Sequence, residues 1–167
     1  MNPQAILQTL NRHQVAYLVL GGFNFLVAHQ PILTFDIDVW IEDAPENRIR
    51  TARALTALGA AWGPTEEQWK PTAEDPAWLL NQTIFCLTSR EGAIDVFREV
   101  RGLEGRWQEC RDEAIPRLID EGTHFLGLSD RHMLECQLAL ALPDQKQDRI
   151  ATLNAALREK SRRENDS

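Results

Sequence analysis

The stretch LVLGGFNFLVAHQPILTFDIDVWI, residues 18–41, decides how the rest of this chain is read. Tyr17-Leu18-Val19-Leu20 is a short unbroken apolar run that stops at Gly21-Gly22, the pattern of a buried strand entering a tight turn. Residues 23–29 then suit a short helix, stopped by Pro31. From Phe35 onward the chain alternates. Phe35, Ile37, Val39 and Ile41 share one face, and Asp36, Asp38 and Trp40 the other, as on a strand. Two glycines at the head of a helix free backbone N–H groups where the helix dipole already favours an anion. Thirteen residues separate Gly22 from Asp36. Asp36 and Asp38, at i and i+2, point the same way. Carboxylates this close repel unless a cation lies between them, and Mg²⁺ is held by hard oxygens from a few carboxylates, water and phosphates. A third acid, Asp95, interrupts an apolar run between Ile94 and Val96, where it is costly unless paired, hydrogen-bonded or metal-facing. Singly, each feature has a plainer reading: a turn, a solvated strand face, a strand end in water. Jointly they converge on one end of one sheet.

Working outward, Asn2-Pro3 opens a helix that Ile6, Leu7 and Leu10 carry to about residue 13. A second helix covers 45–58, with Ile49, Ala52, Leu55 and Leu58 on one side and Gly59 closing it. Residues 62–78 hold three tryptophans (Trp62, Trp69, Trp78) without any period and read as a long irregular segment, its aromatics packed or free to stack a base. Strands follow at 83–87 and 93–97 around a turn at Arg90-Glu91-Gly92. Residues 107–119 have mixed helical character broken at Pro116, and 124–128 read as a short edge strand. Ser129 caps an apolar helix through Met133, Leu134, Gln137, Leu138 and Leu142 to Pro143. A last helix covers about 144–160, and the tail SRRENDS is expected to fray. The class is α+β: a small mixed β-sheet flanked by helices, with further helices at the C-terminal end. One domain over 1–167 is expected, with a core of about 1–100 and a mostly helical part of about 101–160.

Composition narrows the function. The 167 residues carry 18 Lys+Arg against 25 Asp+Glu, a formal net charge of −7, which argues against a broad basic nucleic-acid face and shifts weight modestly away from naked tRNA. Nucleotide chemistry in an acidic, Mg²⁺-holding pocket stays compatible with that balance. Cys86, Cys110 and Cys136 show no metal or disulfide spacing and read as small buried hydrophobes in a reducing cytoplasm. No secretory leader and no membrane-spanning run of about 20 apolar residues is visible.

The same 24 residues resemble the signature of nucleotidyltransferases of the polymerase-beta superfamily: a hydrophobic strand, Gly-Gly, a spacer of this length, then Asp-hydrophobic-Asp-hydrophobic. They are particularly similar to small bacterial members of the group that includes AbiEii-type toxins of toxin–antitoxin pairs. The likeness continues through Thr34 to Trp40, Asn47-Arg48 to Gly59, Ile94-Asp95-Val96 and the C-terminal helices from Leu128 to Leu153, nearly the whole chain. It implies a metal-dependent transfer of a nucleoside monophosphate from an NTP to a hydroxyl acceptor (a tRNA end, a protein or a small molecule such as an aminoglycoside). By position, Gly21 and Gly22 would cradle the nucleotide phosphates, with Thr34 beside them. Asp36 and Asp38 would hold two divalent ions, Mg²⁺ or Mn²⁺. Asp95 would share a metal and help deprotonate the acceptor. Relatives often carry an arginine before the Thr-x-Asp segment, a lysine in the penultimate helix and an Arg-x-Lys-Asp element after it. This chain has Pro31-Ile32-Leu33, Cys136-Gln137-Leu138 and Pro143 to Asp148 there, so Arg48, Arg90 or Arg98 are the candidates to replace the missing charge. The alternative is a weakly active nucleotidyltransferase-fold module that binds a protein partner, as an antitoxin or scaffold would.

Overall fold

A computed structural model describes residues 1–166. Helix α1 (Pro3–Arg12) starts as expected, with proline at its first position and the Asn2 side chain accepting a hydrogen bond from the Ala5 amide at 3.2 Å. Strand β1 (Tyr17–Leu20) runs directly into helix α2 (Gly21–Ala28), and β2 (Asp36–Ile41) leads to α3 (Pro45–Ala57). The segment read as irregular contains two two-residue strands, β3 (Ala61–Trp62) and β4 (Lys70–Pro71), and two 3₁₀ turns. Then come β5 (Ile84–Ser89), β6 (Gly92–Phe97), α4 (Trp107–Asp112), β7 (Ile115–Asp120), β8 (Thr123–Gly127), α5 (Asp130–Leu138) and α6 (Gln147–Asn165).

All eight strands form one mixed sheet in the order β4-β3-β5-β6-β2-β1-β8-β7. Strands β2 and β6 are parallel, as are β1 and β8; the other neighbours are antiparallel. Each face has its own core. On one, α1 and α3 cover Val19, Ile37, Val39, Ile41, Ile94 and Val96, all buried. The other gathers Leu18, Leu20 and Trp40 with Phe25, Met133 and Leu153 from helices α2, α5 and α6. Helix α2 serves both, through Phe23 on one side and Phe25 on the other. The alternation at 35–41 therefore sorts side chains as expected from Ile37 on. Phe35 does not join the apolar face: it precedes β2 and is 73% exposed.

Four expectations are corrected. Residues 115–120, read as broken helix, are a strand that Pro116 does not prevent, because β7 is an edge with no further neighbour to receive the missing N–H. Residues 124–128, read as an edge strand, lie inside the sheet between β1 and β7. The part after residue 100 thus contributes two strands to the sheet as well as helices. The helix read through Leu142 ends at Leu138, and the last one continues to Asn165 through the segment expected to fray, of which Ser167 lies outside the described residues. Trp62 and Trp78 stack on each other with centroids 6.0 Å apart, and both meet Phe85 edge-on, so they roof the first core.

One buried polar residue ties these layers together. Asn24 on α2 is fully buried and donates to the Leu128 carbonyl at 2.9 Å, linking the turn helix to the end of β8. A Cβ on Gly127 would fall on the Asn24 side-chain oxygen, so only glycine leaves that space. Gly127→Ala is expected to cost about 1–3 kcal/mol by overpacking, read as a lower urea midpoint at unchanged slope.

Candidate active site

The parallel register of β2 and β6 sets Asp38 directly opposite Asp95, with Asp36 two residues earlier on the same face. On the other flank Leu20, the last residue of β1, is opposite Asp38, which places the Gly21-Gly22 turn against that carboxylate. Gly21 has φ +64°, a left-handed conformation, and a Cβ there would collide with the Asp38 carboxylate. Glycine is thus required twice, by the backbone and by the side chain lying against it. The Gly22 amide bonds to Asp38. Thr34 donates from Oγ1 to Asp36 Oδ1 at 3.2 Å, and a Cβ on Gly22 would meet that hydroxyl at 2.9 Å. Thr34, the turn and both aspartates form one packed unit.

Electrostatics distinguish the three acids. Burial pushes the Asp38 carboxyl up to about 7, helped by the charges of Asp36 and Asp95, while the Gly22 amide and Arg149 pull the other way. Asp95 is also raised, mainly by burial; a hydrogen bond from the Cys86 thiol opposes the shift and the Asp36 charge adds to it. Cys86 faces Asp95 across β5 and β6. Its thiol is pushed up to about 11 by burial and by the neighbouring carboxylates, so it stays protonated. The expectation that all three cysteines are buried hydrophobes therefore fails for Cys86, which is exposed and belongs to the site. The period-2 register of β5 against β6 was the signal that could have found it.

Arg149 was missed entirely. It reaches from the first turn of α6 over the Phe25 ring, 5.7 Å from its centroid, and a Cβ on Gly22 would lie 3.5 Å from its guanidinium. The three arginines considered as substitutes are committed elsewhere. Arg48 and Arg98 pair with Asp43 at 2.8 and 2.7 Å, and Arg90 donates to the Ala57 carbonyl at 3.1 Å. Beside Arg149, Gly21 and Asp38 a cavity of about 320 Å³ opens between the sheet and helices α2, α5 and α6.

The acids suit a hard divalent cation. They offer carboxylate oxygens only, the adjacent thiol is protonated, and the Asp38 carboxyl is raised by burial and by neighbouring negative charge that one arginine does not cancel. The three do not close on one another. Among the described residues the one trio of ligating atoms within 4.8 Å of each other is Glu109, Glu113 and His132, remote in the fold. There Arg131 Nη2 lies 2.7 Å from Glu109, 2.7 Å from Glu113 and 2.9 Å from His132. That cluster already holds a cation, a guanidinium, and joins α4 to α5.

The raised Asp38 pKa makes a stability prediction. The folded state binds this proton more tightly than the unfolded chain, so the stability it contributes is full below about pH 4 and is lost as pH rises through about 7. Without added metal, Asp38→Asn is therefore expected to be more stable than the wild type at pH 8, by about 2–4 kcal/mol. The gap should close towards pH 4 in paired urea melts.

No protein-family model matches the sequence, and the search of curated proteins also gives no match. Solved structures do match. The antibiotic-resistance factor ANT(2'')-Ia aligns over 96% of this chain and 91% of its own, with 11% identity and a TM-score of 0.50. A second structure of that factor, in complex with adenylyl-2''-tobramycin, covers 94% and 95% at 13% identity and a TM-score of 0.44. A Thermotoga maritima protein described as a candidate nucleotidyltransferase covers 96% and 88% at 13% identity and a TM-score of 0.47. At these identities the likeness is one of fold alone, the fold shared with ANT(2'')-Ia.

Proposed function

We propose that the protein transfers a nucleoside monophosphate from an NTP to a hydroxyl acceptor. The observation that carries this reading is the Asp38 carboxylate, seated on a glycine turn, opposite Asp95 and beside Asp36, at the mouth of a cavity that Arg149 flanks. Asp36 and Asp38 are the residues to hold divalent cations, with Asp95 sharing one. When bound, Mg²⁺ or Mn²⁺ would neutralise phosphate charge and stabilise the entering and leaving oxygens of an in-line displacement. The chain's own groups do the positioning. Thr34 fixes Asp36, the Gly21-Gly22 turn lets phosphates approach the backbone, and Arg149 supplies a cation to the phosphates. Asp95, raised by burial, is suited to accept the acceptor hydroxyl's proton.

The alternative of a partner-binding module with weak chemistry rested on missing basic residues. Arg149 weakens that case, since a cation stands beside the turn after all. The acceptor classes are a tRNA end, a protein side chain or a small molecule, and labelled NTPs incubated with cell lysate would distinguish them by what becomes labelled.

Calorimetric titration of each NTP with and without Mg²⁺ tests the reading directly. Metal-dependent binding below millimolar concentration is expected, and its absence for all four nucleotides would sink the proposal. Asp38→Asn is expected to lower transfer at least about 100-fold, and Mg²⁺ should raise its Tm less than that of the wild type. Arg149→Ala should weaken NTP binding about tenfold, the scale of one charge-assisted contact, while leaving the Mg²⁺-induced Tm shift in place.

A further inference from the structure

Arg149 stands beside the glycine turn with its N–H donors unengaged. Among the described residues its guanidinium makes no hydrogen bond and no ion pair, although it is near enough to pull the Asp38 carboxyl downward. The arginines elsewhere in this fold that lie close to acids behave differently. Arg98 is 2.7 Å from Asp43, and Arg131 is 2.7 Å from Glu113. A long cation beside three carboxylates is expected to fold onto one of them unless something else seats it.

The seat is an aromatic ring. Gly22, Phe25 and His29 follow one another at i, i+3 and i+7 along α2 and its C-terminal cap, so they share one face. The guanidinium covers the first two: a Cβ on Gly22 would lie 3.5 Å from Arg149 Nη2, and Arg149 Cζ is 5.7 Å from the Phe25 ring centroid. Phe25 is 1% exposed, so packing fixes its ring. The third residue on that face touches the same ring, with the His29 and Phe25 centroids 5.0 Å apart. His29 Nε2 is in turn 2.9 Å from Asp130 Oδ1, on the first residue of α5. A ring face attracts a guanidinium through its negative quadrupole and, unlike a carboxylate, leaves the N–H groups free to bond elsewhere.

Resting on the nucleotidyltransferase reading, we infer that Phe25 is a positioning residue for the nucleotide phosphates. Its ring holds the Arg149 guanidinium over the Gly21-Gly22 turn, off the three aspartates and with its donors open. A phosphate reaching the turn then meets a cation already in place, and the cost of ordering a long side chain at the moment of binding is avoided.

The test is a double-mutant cycle read by equilibrium binding, with Mg²⁺, of whichever non-hydrolysable analogue of ATP, GTP, CTP or UTP binds the wild type most tightly. Phe25→Leu keeps an apolar side chain and loses the ring, and is expected to weaken binding about threefold to tenfold. In the Arg149→Ala background the same change should weaken it by less than about 1.5-fold, because the cation being positioned is gone. A direct contact between Phe25 and the nucleotide, or a loosened core, would act equally in both backgrounds. Two further variants separate the ring's charge from its bulk. Pentafluorophenylalanine placed at position 25 keeps the ring's shape and cancels its negative face, and should weaken binding by about threefold. Phe23→Leu removes the other aromatic ring of the same helix, which packs against Phe125 on the opposite side of the sheet. It should lower Tm while leaving nucleotide binding within about twofold of the wild type. Equal losses from Phe25→Leu in the two backgrounds, unchanged binding in the pentafluoro variant at wild-type Tm, or a loss in Phe23→Leu matching that in Phe25→Leu would each overturn the inference. Those results would leave nucleotide binding itself standing. Binding of none of the four analogues to the wild type would instead remove the nucleotidyltransferase reading, and this inference with it.

Discussion

The contact between the Asp38 carboxylate and the Gly21-Gly22 turn is the constraint on which the rest of the site depends. A half-buried carboxylate beside two others is unfavourable in isolation, and it is opposed by the Gly22 amide and the Arg149 guanidinium. To seat it at all, the turn must be free of Cβ at Gly21 and must adopt a left-handed backbone there. To keep it seated, β1 and β6 must flank β2 in the observed register. Both faces of the sheet are then needed: an apolar core on the far side fixes β2 through Ile37, Val39 and Ile41, and the near side is left to the acids and the cavity. Stability and function pull against one another at this one residue.

Much of this was legible because it is local. Strand-to-turn-to-helix at 17–28, the alternation of Ile37, Val39 and Ile41 against Asp36 and Asp38, and the cap at Ser129 all depend on residues within a few positions of one another. The acids could be placed on one face from periodicity, and the Asp38–Asp95 pairing needed only that β2 and β6 be neighbours. What was not legible is what depends on distant packing. β7 pairs only with β8 and carries a proline, so its local sequence argues against a strand that the sheet edge permits. Cys86 became a site residue through strand register, and Arg149 through the way α6 folds back across Phe25. No spacing rule links residue 149 to residue 22.

The placement of Arg149 changes the meaning of the C-terminal helices. Read along the chain, they are a helical appendage to the sheet that carries the aspartates. In the fold, α5 and α6 pack on each other and together close the cavity, Leu153 of α6 reaching the core that Leu20 and Trp40 share. The cation beside the Gly21-Gly22 turn is delivered from the opposite end of the sequence. A helix anchored by an apolar residue one turn beyond its arginine can hold that cation more rigidly than a loop would, because Leu153 is fully buried while Arg149 is only partly so.

Two acidic clusters in one small protein show why geometry alone does not make a metal centre. Glu109, Glu113 and His132 bring their ligating atoms closer together than the three aspartates do, yet Arg131 stands among them, and Arg106 bridges Glu109 and Glu135 nearby. There the hydrogen bonds of Arg106 and Arg131 outweigh desolvation and hold the Glu109 carboxyl well below its usual range, the mark of a carboxylate already compensated. At Asp38 the shift runs the other way, because burial, helped by the charges of Asp36 and Asp95, outweighs the Gly22 amide and Arg149. A cluster that is tight and neutralised is a brace between helices. One that is looser, raised in pKa and open to a cavity retains an electrostatic demand of the kind a divalent cation would meet.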